Sequence, residues 1–294
     1  MSKVTQVNKS KVTVRTFQLR KNKAIPMTVM TAYDYTSARM VEKADIDAIL
    51  VGDSLNMVML GREQTNSVTV DEMLHHCKAV ARGARIPFLI GDMPFMSYQV
   101  SQEEAIRNAG RFLQEGGMEA VKMEGGVEMA DTIAAVIRAG IPVMGHIGLT
   151  PQTLSQLGGY RVQGKTASTA RKLLEDALAL QEAGCFSIVL ESVPAPVAKI
   201  ITEKLEISTI GIGAGAGCDG QVLVFHDALG MFDDLLPRFV RRYANVGEIM
   251  VNALATYRDE VREGVFPTEE HTYPIKENEL EAFLAELEKG ITES

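Results

Sequence analysis

The chain has 294 residues, which exceeds the roughly 250 of a typical eight-fold β/α barrel by about one or two helices. A net charge of -8, a pI near 5.3 and no clustered basic face exclude a nucleic-acid binder, and no apolar run is long enough to span a membrane. Cys77, Cys185 and Cys218 are odd in number and form no close-spaced pair, which argues against both a disulfide framework and a thiolate zinc site and points to a reducing, cytoplasmic setting.

In chain order, a basic N-terminal stretch comes first, and its earliest acid is Asp34. A transit peptide has that charge pattern, but the stretch runs directly into a strand, so a plain helix over about 10–23 is the expectation. Short apolar runs bounded by turn residues then predict eight strands, at 27–32, 48–52, 87–91, 119–124, 141–146, 186–191, 208–213 and 221–226. Helical patterns fall between them at 37–43, 71–84, 102–115, 129–138, 168–182 and 195–203. Ser101 to Glu104 is a capping-box pattern that opens one helix, and Gly116, Gly140 and Gly184 stand where helices close. The interval 214–220 is too short for a helix, so one crossover is irregular. Eight strands alternate with helices, one crossover excepted, without an internal linker, which predicts an α/β fold closed as a (β/α)8 barrel in one domain over 1–294. A long helix is expected at 234–261, followed by an acidic tail from about 263 to 294. In the tail Leu280, Phe283, Leu284 and Leu287 share one helical face, to dock on the barrel or on another subunit.

Four strands end on an acid. Ala48-Ile-Leu-Val-Gly-Asp53, Pro87-Phe-Leu-Ile-Gly-Asp92, Ala120-Val-Lys-Met-Glu124 and Phe186-Ser-Ile-Val-Leu-Glu191 carry them. Parallel strands of one barrel finish on the same rim, so these carboxylates converge, and they repel one another unless a cation or a proton is held there. Asp53, Asp92 and Glu124 offer only oxygen, which selects a hard cation such as Mg²⁺. Each acid taken singly is equally an N-cap for the helix that follows. Side-chain alternation puts Lys122 and Glu124 on one face of the fourth strand, where burial demands a partner for each charge. Glu191 exits its strand into a short loop, free to move protons, and is the general-base candidate.

At these positions the sequence resembles the ketopantoate hydroxymethyltransferases, also called 3-methyl-2-oxobutanoate hydroxymethyltransferases. The resemblance runs through Met30-Thr-Ala-Tyr-Asp34, Val51-Gly-Asp-Ser-Leu55, Gly91-Asp-Met-Pro94, Val121-Lys-Met-Glu124, Gly145-His-Ile-Gly-Leu-Thr-Pro-Gln152, Gly158-Gly-Tyr160, Gly211-Ile-Gly-Ala-Gly215 and Val224-Phe-His-Asp-Ala-Leu-Gly230. It implies a barrel of the phosphoenolpyruvate/pyruvate type with extra terminal helices and a homodecameric assembly. It also implies that Asp53, Asp92 and Glu124 bind Mg²⁺ directly or through water, that Asp53, Ser54, Asp92 and Lys122 touch the 2-oxo acid, and that Glu191 accepts the proton.

The implied reaction is an early step towards pantothenate. Glu191 takes the C3 proton of 3-methyl-2-oxobutanoate, and the cation and Lys122 stabilise the charge that develops on oxygen. The enolate attacks a one-carbon unit from 5,10-methylenetetrahydrofolate, and water completes 2-dehydropantoate. A related Mg²⁺-dependent oxo-acid lyase or mutase would share the acids and the base but need no folate. His146 either approaches substrate or is a structural histidine. Gly211 to Gly217 lacks the third glycine of a dinucleotide fingerprint, because Ala216 stands in its place, so the run reads as a close approach to ligand or a tight crossover. The fifteen methionines are scattered and read as core filling, and Tyr33 and Asp34 carry no assigned chemistry.

Overall fold

In the computed structural model the described residues are 10–157, 159, 161–233 and 237–291. Gly158 and Tyr160 of the quoted motifs, and residues 234–236 of the expected long helix, lie outside them. The chain falls into two compact units that divide between Ala244 and Asn245, upstream of the tail boundary near 263 read from the sequence.

The first unit runs α1 (Val14–Asn22), β1 (Met27–Thr31), α2 (Tyr35–Lys43), β2 (Ala48–Val51), a single turn α3 (Leu55–Val58), α4 (Val70–Gly83), β3 (Phe88–Asp92), α5 (Gln102–Gln114), β4 (Ala120–Glu124), α6 (Ala130–Arg138), β5 (Val143–Gly148), α7 (Leu154–Leu157), α8 (Ala167–Ala183), β6 (Ser187–Glu191), α9 (Ala195–Lys204), β7 (Ser208–Ile212), β8 (Gly220–Leu223) and α10 (Phe225–Leu229). The strands pair in parallel in sequence order, and β8 returns to β1 to close the barrel. Each predicted strand is present. The eighth stops at Leu223 rather than near 226, because Phe225 to Leu229 turn into α10, anchored where the Phe225 amide donates to the Thr31 hydroxyl at 2.9 Å. β7 and β8 join without a helix, as the short interval predicts.

Alternation along each strand sorts the barrel into two cores. Outward side chains such as Ile49, Val121, Met123 and Ile188 pack with Met73, Phe112, Val136 and Leu180 of the surrounding helices. Inward ones, among them Val29, Leu50, Ile90, Ala120, Met144, Val189, Ile210 and Val222, fill the lumen. Phe17 of α1 caps that lumen from below, with no exposed surface and its ring edge-on to Phe88 at 5.7 Å and Phe186 at 5.2 Å. With apolar side chains filling the lower layers, polar inward positions are left for the upper rim.

The second unit contains α11 (Val246–Glu263) and α12 (Glu277–Ile291). The helix expected at 234–261 begins at Val246, since residues 237–245 form turns and irregular chain starting at Pro237. No residue of α11 is buried, and Ile249 and Leu254 are each about 65% exposed. Leu280, Phe283, Leu284 and Leu287 share α12, as their spacing predicts. All three cysteines are buried and free.

Candidate active site

Asp92, Lys122, Glu124, His146 and Glu191 follow the inward-facing positions of β3 to β6 upward, and Asp53 and Ser54 follow β2. All seven line one cavity of about 140 Å³ at the carboxyl ends of the strands. Asp53, Asp92 and Glu124 cap no helix. The acid that does is Asp34, whose carboxylate accepts from the Ser37 amide at 2.8 Å to open α2. Tyr33 is buried, and its hydroxyl lies 2.9 Å from Ser54 Oγ, which holds that side chain at the cavity wall.

The acids are linked through Lys122 and Gln152. Lys122 Nζ lies 2.9 Å from Asp92 Oδ1 and 3.7 Å from Glu124 Oε1. The Asp53 amide donates to Asp92 Oδ2 at 3.0 Å. Gln152 donates through its backbone amide to Glu124 Oε2 at 3.1 Å, and through its side chain to Asp53 Oδ2 at 3.0 Å and the Met93 carbonyl at 2.9 Å. Its own carbonyl accepts from the Tyr98 hydroxyl at 2.8 Å. Gln152 and Tyr98 are therefore the braces of the acid cluster. Sequence reasoning missed that role: Gln152 closes a quoted motif and Tyr98 sits in a loop, and neither has a periodicity that singles it out.

Burial sets the protonation of the group. Desolvation, then Asp92, pushes the Asp53 carboxyl well above its usual range, and Asp92 is also raised, by desolvation against the pull of Lys122. Glu124 goes the other way: desolvation opposes its charge, but His146 and Lys122 beside it hold its pKa down. Burial pulls the Lys122 pKa down, but Asp92, Glu124 and Asp53 together raise it above its usual value.

His146 stands between two acids, with Nδ1 3.3 Å from Glu124 Oε1 and Nε2 3.2 Å from Glu191 Oε2. Burial and Lys122 depress its pKa, yet the two carboxylates raise it to about 9. Lys122 Nζ also approaches Nδ1, at 3.1 Å, and this contact opposes ring protonation. With a carboxylate at each ring nitrogen, the charged ring is favoured. Glu191 is held by its backbone: its carbonyl accepts from the Leu149 amide at 2.8 Å, and Ser192 after it adopts a left-handed φ of 51°. Gly148 lies opposite with φ 97°, and a Cβ there would come within 2.3 Å of the Glu191 carbonyl, so only glycine fits.

Asp92 Oδ1 and Glu124 Oε1 are buried carboxylate oxygens with no hydrogen bond of good geometry, despite their ion-pair distances to Lys122. Among the described residues, no three Asp, Glu, His or Cys side chains already converge as a metal cage. All-oxygen donors with free lone pairs, spaced by a lysine, suit an ion held by one or two carboxylates and completed by water or substrate oxygen, which is how Mg²⁺ is usually bound. None of the glycines from Gly211 to Gly217 lines the cavity, where only Ile212 of that run appears. They make a tight crossover, and a Cβ on Gly215 would sit 2.5 Å from that of Ala195.

An eight-stranded parallel barrel with a buried acid and lysine cluster at its carboxyl rim has the layout of a β/α-barrel enzyme. Solved structures share that fold at low identity: a phosphonopyruvate hydrolase (TM-score 0.59, 14% identity, 96% of this chain and 98% of that one) and a 2,3-dimethylmalate lyase (TM-score 0.56, 14% identity, 95% and 96%). Residues 11–269 match the family model described as ketopantoate hydroxymethyltransferase, and the chain belongs to that family. Similar proteins include the 3-methyl-2-oxobutanoate hydroxymethyltransferases of Nitratidesulfovibrio vulgaris (strain DP4), 58% identical over 90% of this chain and 86% of that one, and of Clostridium novyi (strain NT), 54% identical over 92% and 98%.

Proposed function

We propose that this enzyme transfers a hydroxymethyl group from 5,10-methylenetetrahydrofolate to 3-methyl-2-oxobutanoate, giving 2-dehydropantoate for pantothenate synthesis, with Mg²⁺ as its cation. The observation that carries this reading is one cavity holding an acid and lysine cluster on one side and a separate, partly exposed carboxylate, Glu191, on the other. The cavity of about 140 Å³ is close to the ~150 Å³ that takes one benzene in an engineered core, a scale that suits a five-carbon oxo acid.

Asp53, Asp92 and Glu124 would hold the cation, directly or through water. Bound there, Mg²⁺ would supply positive charge for the keto oxygen as C3 loses its proton. Ser54 and Lys122 orient the carboxylate and keto group. Glu191 takes the C3 proton, and His146, within ion-pair distance of both Glu191 and Glu124, fixes the direction of its carboxylate. The dry floor of apolar side chains beneath the site strengthens the pull of Lys122 on the developing oxyanion.

The test is turnover of the purified chain with 3-methyl-2-oxobutanoate, with and without methylenetetrahydrofolate and with and without Mg²⁺. Product that needs both is expected. Cleavage or isomerisation of an oxo acid without folate would make the chain a lyase or mutase instead. The homodecamer implied by the resemblance and the cytoplasmic location read from the cysteines belong to the same proposal. Exposed apolar side chains such as Ile249, Leu254 and Phe283 support self-association, which analytical ultracentrifugation measures.

A further inference from the structure

The catalytic cavity has a second side that the reaction as described leaves unused. β2 to β6 deliver the acids, lysine and histidine that line the cavity's polar side, while β7 and β8 deliver Ile212, Val222, Leu223 and Val224. Phe239, whose ring a Cβ on Gly213 would meet, extends that apolar arc. Within it stands one carboxyl group, Asp227, on α10 just after β8. Asp227 is 8% exposed, and among the described residues its side chain has no hydrogen bond and no cation within ion-pair distance. The nearest cation acting on it is Arg242, whose guanidinium is engaged by Asp233 at 2.8 Å and by the Phe232 carbonyl at 3.1 Å. Neighbouring groups do not claim it either: the Tyr33 hydroxyl is paired with Ser54. Desolvation lifts the Asp227 carboxyl to about 6, against a weaker pull from Arg242, so both its protonated and its charged form are accessible near neutral pH. The backbone holds it firmly, since Ala228 beside it accepts from the Tyr243 amide at 2.8 Å.

Resting on the folate reading above, we infer that Asp227 is a second catalytic residue, the general acid and base that releases the one-carbon unit from the folate donor. The oxo acid is already served on the opposite arc, its C3 proton by Glu191 and its oxygens by Ser54, Lys122 and the cation. The methylene bridge needs its own proton traffic. Asp227 gives its proton to N10 as the N10–carbon bond breaks and that electron pair stays on N10, leaving an iminium at N5. A water oxygen then adds to the iminium carbon and loses a proton back to Asp227. The hydroxyl proton of the resulting N5-hydroxymethyl group passes to N5 as the N5–carbon bond breaks, so tetrahydrofolate leaves formaldehyde in the cavity. The C3 enolate adds to the formaldehyde carbon, and the new alkoxide takes the proton that Glu191 removed. Charge and atoms balance with water as the only added reactant. The apolar arc suits the flat pterin, and one carboxyl within it is what ring opening requires.

The experiment compares Asp227→Asn with the wild type in three assays on the intact enzyme: exchange of the C3 proton into D₂O, product formation from methylenetetrahydrofolate, and product formation from free formaldehyde. Turnover with the folate donor should fall by about 100-fold or more, the middle of the usual range for a lost acid or base, while exchange and formaldehyde addition stay within a few-fold. Asp227→Glu should recover part of the folate reaction. An equal loss in all three assays, or an unchanged folate reaction, overturns the assignment. A wild-type enzyme that exchanges C3 and accepts formaldehyde but ignores methylenetetrahydrofolate instead overturns the folate reading, and the role of Asp227 falls with it.

Discussion

The floor and the mouth of this barrel are built from the same strands by the same alternation, and they do opposite things. On β4, Ala120 faces the lumen under the site, and Lys122 and Glu124 face it one and two steps higher. Below, Phe17, Phe88 and Phe186 pack edge to face. Above, five ionisable groups from β3 to β6 are crowded together and each perturbs its neighbours. The lower layer supplies stability and the upper layer uses it, because buried charges held this close would not stay together without a rigid, dry support.

Substitutions separate the two layers. Glu191→Gln, at the mouth, should lower C3 proton exchange into D₂O by about 10²–10⁴-fold while oxo-acid and Mg²⁺ binding persist and the melting temperature does not drop. Unimpaired exchange in that variant would remove Glu191 from the base role. Phe17→Ala, at the floor, should cost roughly 3–5 kcal/mol in urea unfolding yet leave exchange by the folded fraction near wild type. If exchange fell as steeply as stability, floor and mouth would not be separable.

Gln152→Leu acts between them. It takes one donor each from Asp53 and Met93, and Mg²⁺ affinity measured by calorimetry should weaken about 10–100-fold with little change in fold. Unchanged affinity would show that Gln152 braces the loop alone. The smallest effect is expected outside both layers. Glu72, at the start of α4, is held down to about 2 by Arg62 and then by the Thr69 amide. Its folded pKa lies below its usual value of 4.5, so its contribution is present above that value and fades as the pH falls towards 2. Glu72→Gln should therefore shift the urea midpoint slightly at pH 7 and not at all near pH 2, with catalysis untouched at either layer.

The acids at strand ends were legible because a parallel barrel allows few alternatives: Asp53, Asp92, Glu124 and Glu191 each close an apolar run, and such runs end on one rim. Lys122 and Glu124 were legible as a pair from the period of two. Asp227 and Tyr98 were not, since one lies in a short helix whose first residues read as the end of a strand and the other in a loop. Gln152 was quoted only as part of a motif. Its role depends on a chain reversal that brings it to Asp53, 99 positions away in sequence.

Local patterns of apolar and turn residues thus determined the barrel, its irregular last crossover and the rim that bears the chemistry, because alternation and strand length act over a few residues. Only the tertiary structure decided which polar groups meet, that His146 sits between Glu124 and Glu191, that Gln152 ties the acids together, and that Asp227 has no hydrogen-bond partner among the described residues. Those facts depend on distances across the lumen, which closure of the barrel sets and no short stretch of sequence encodes.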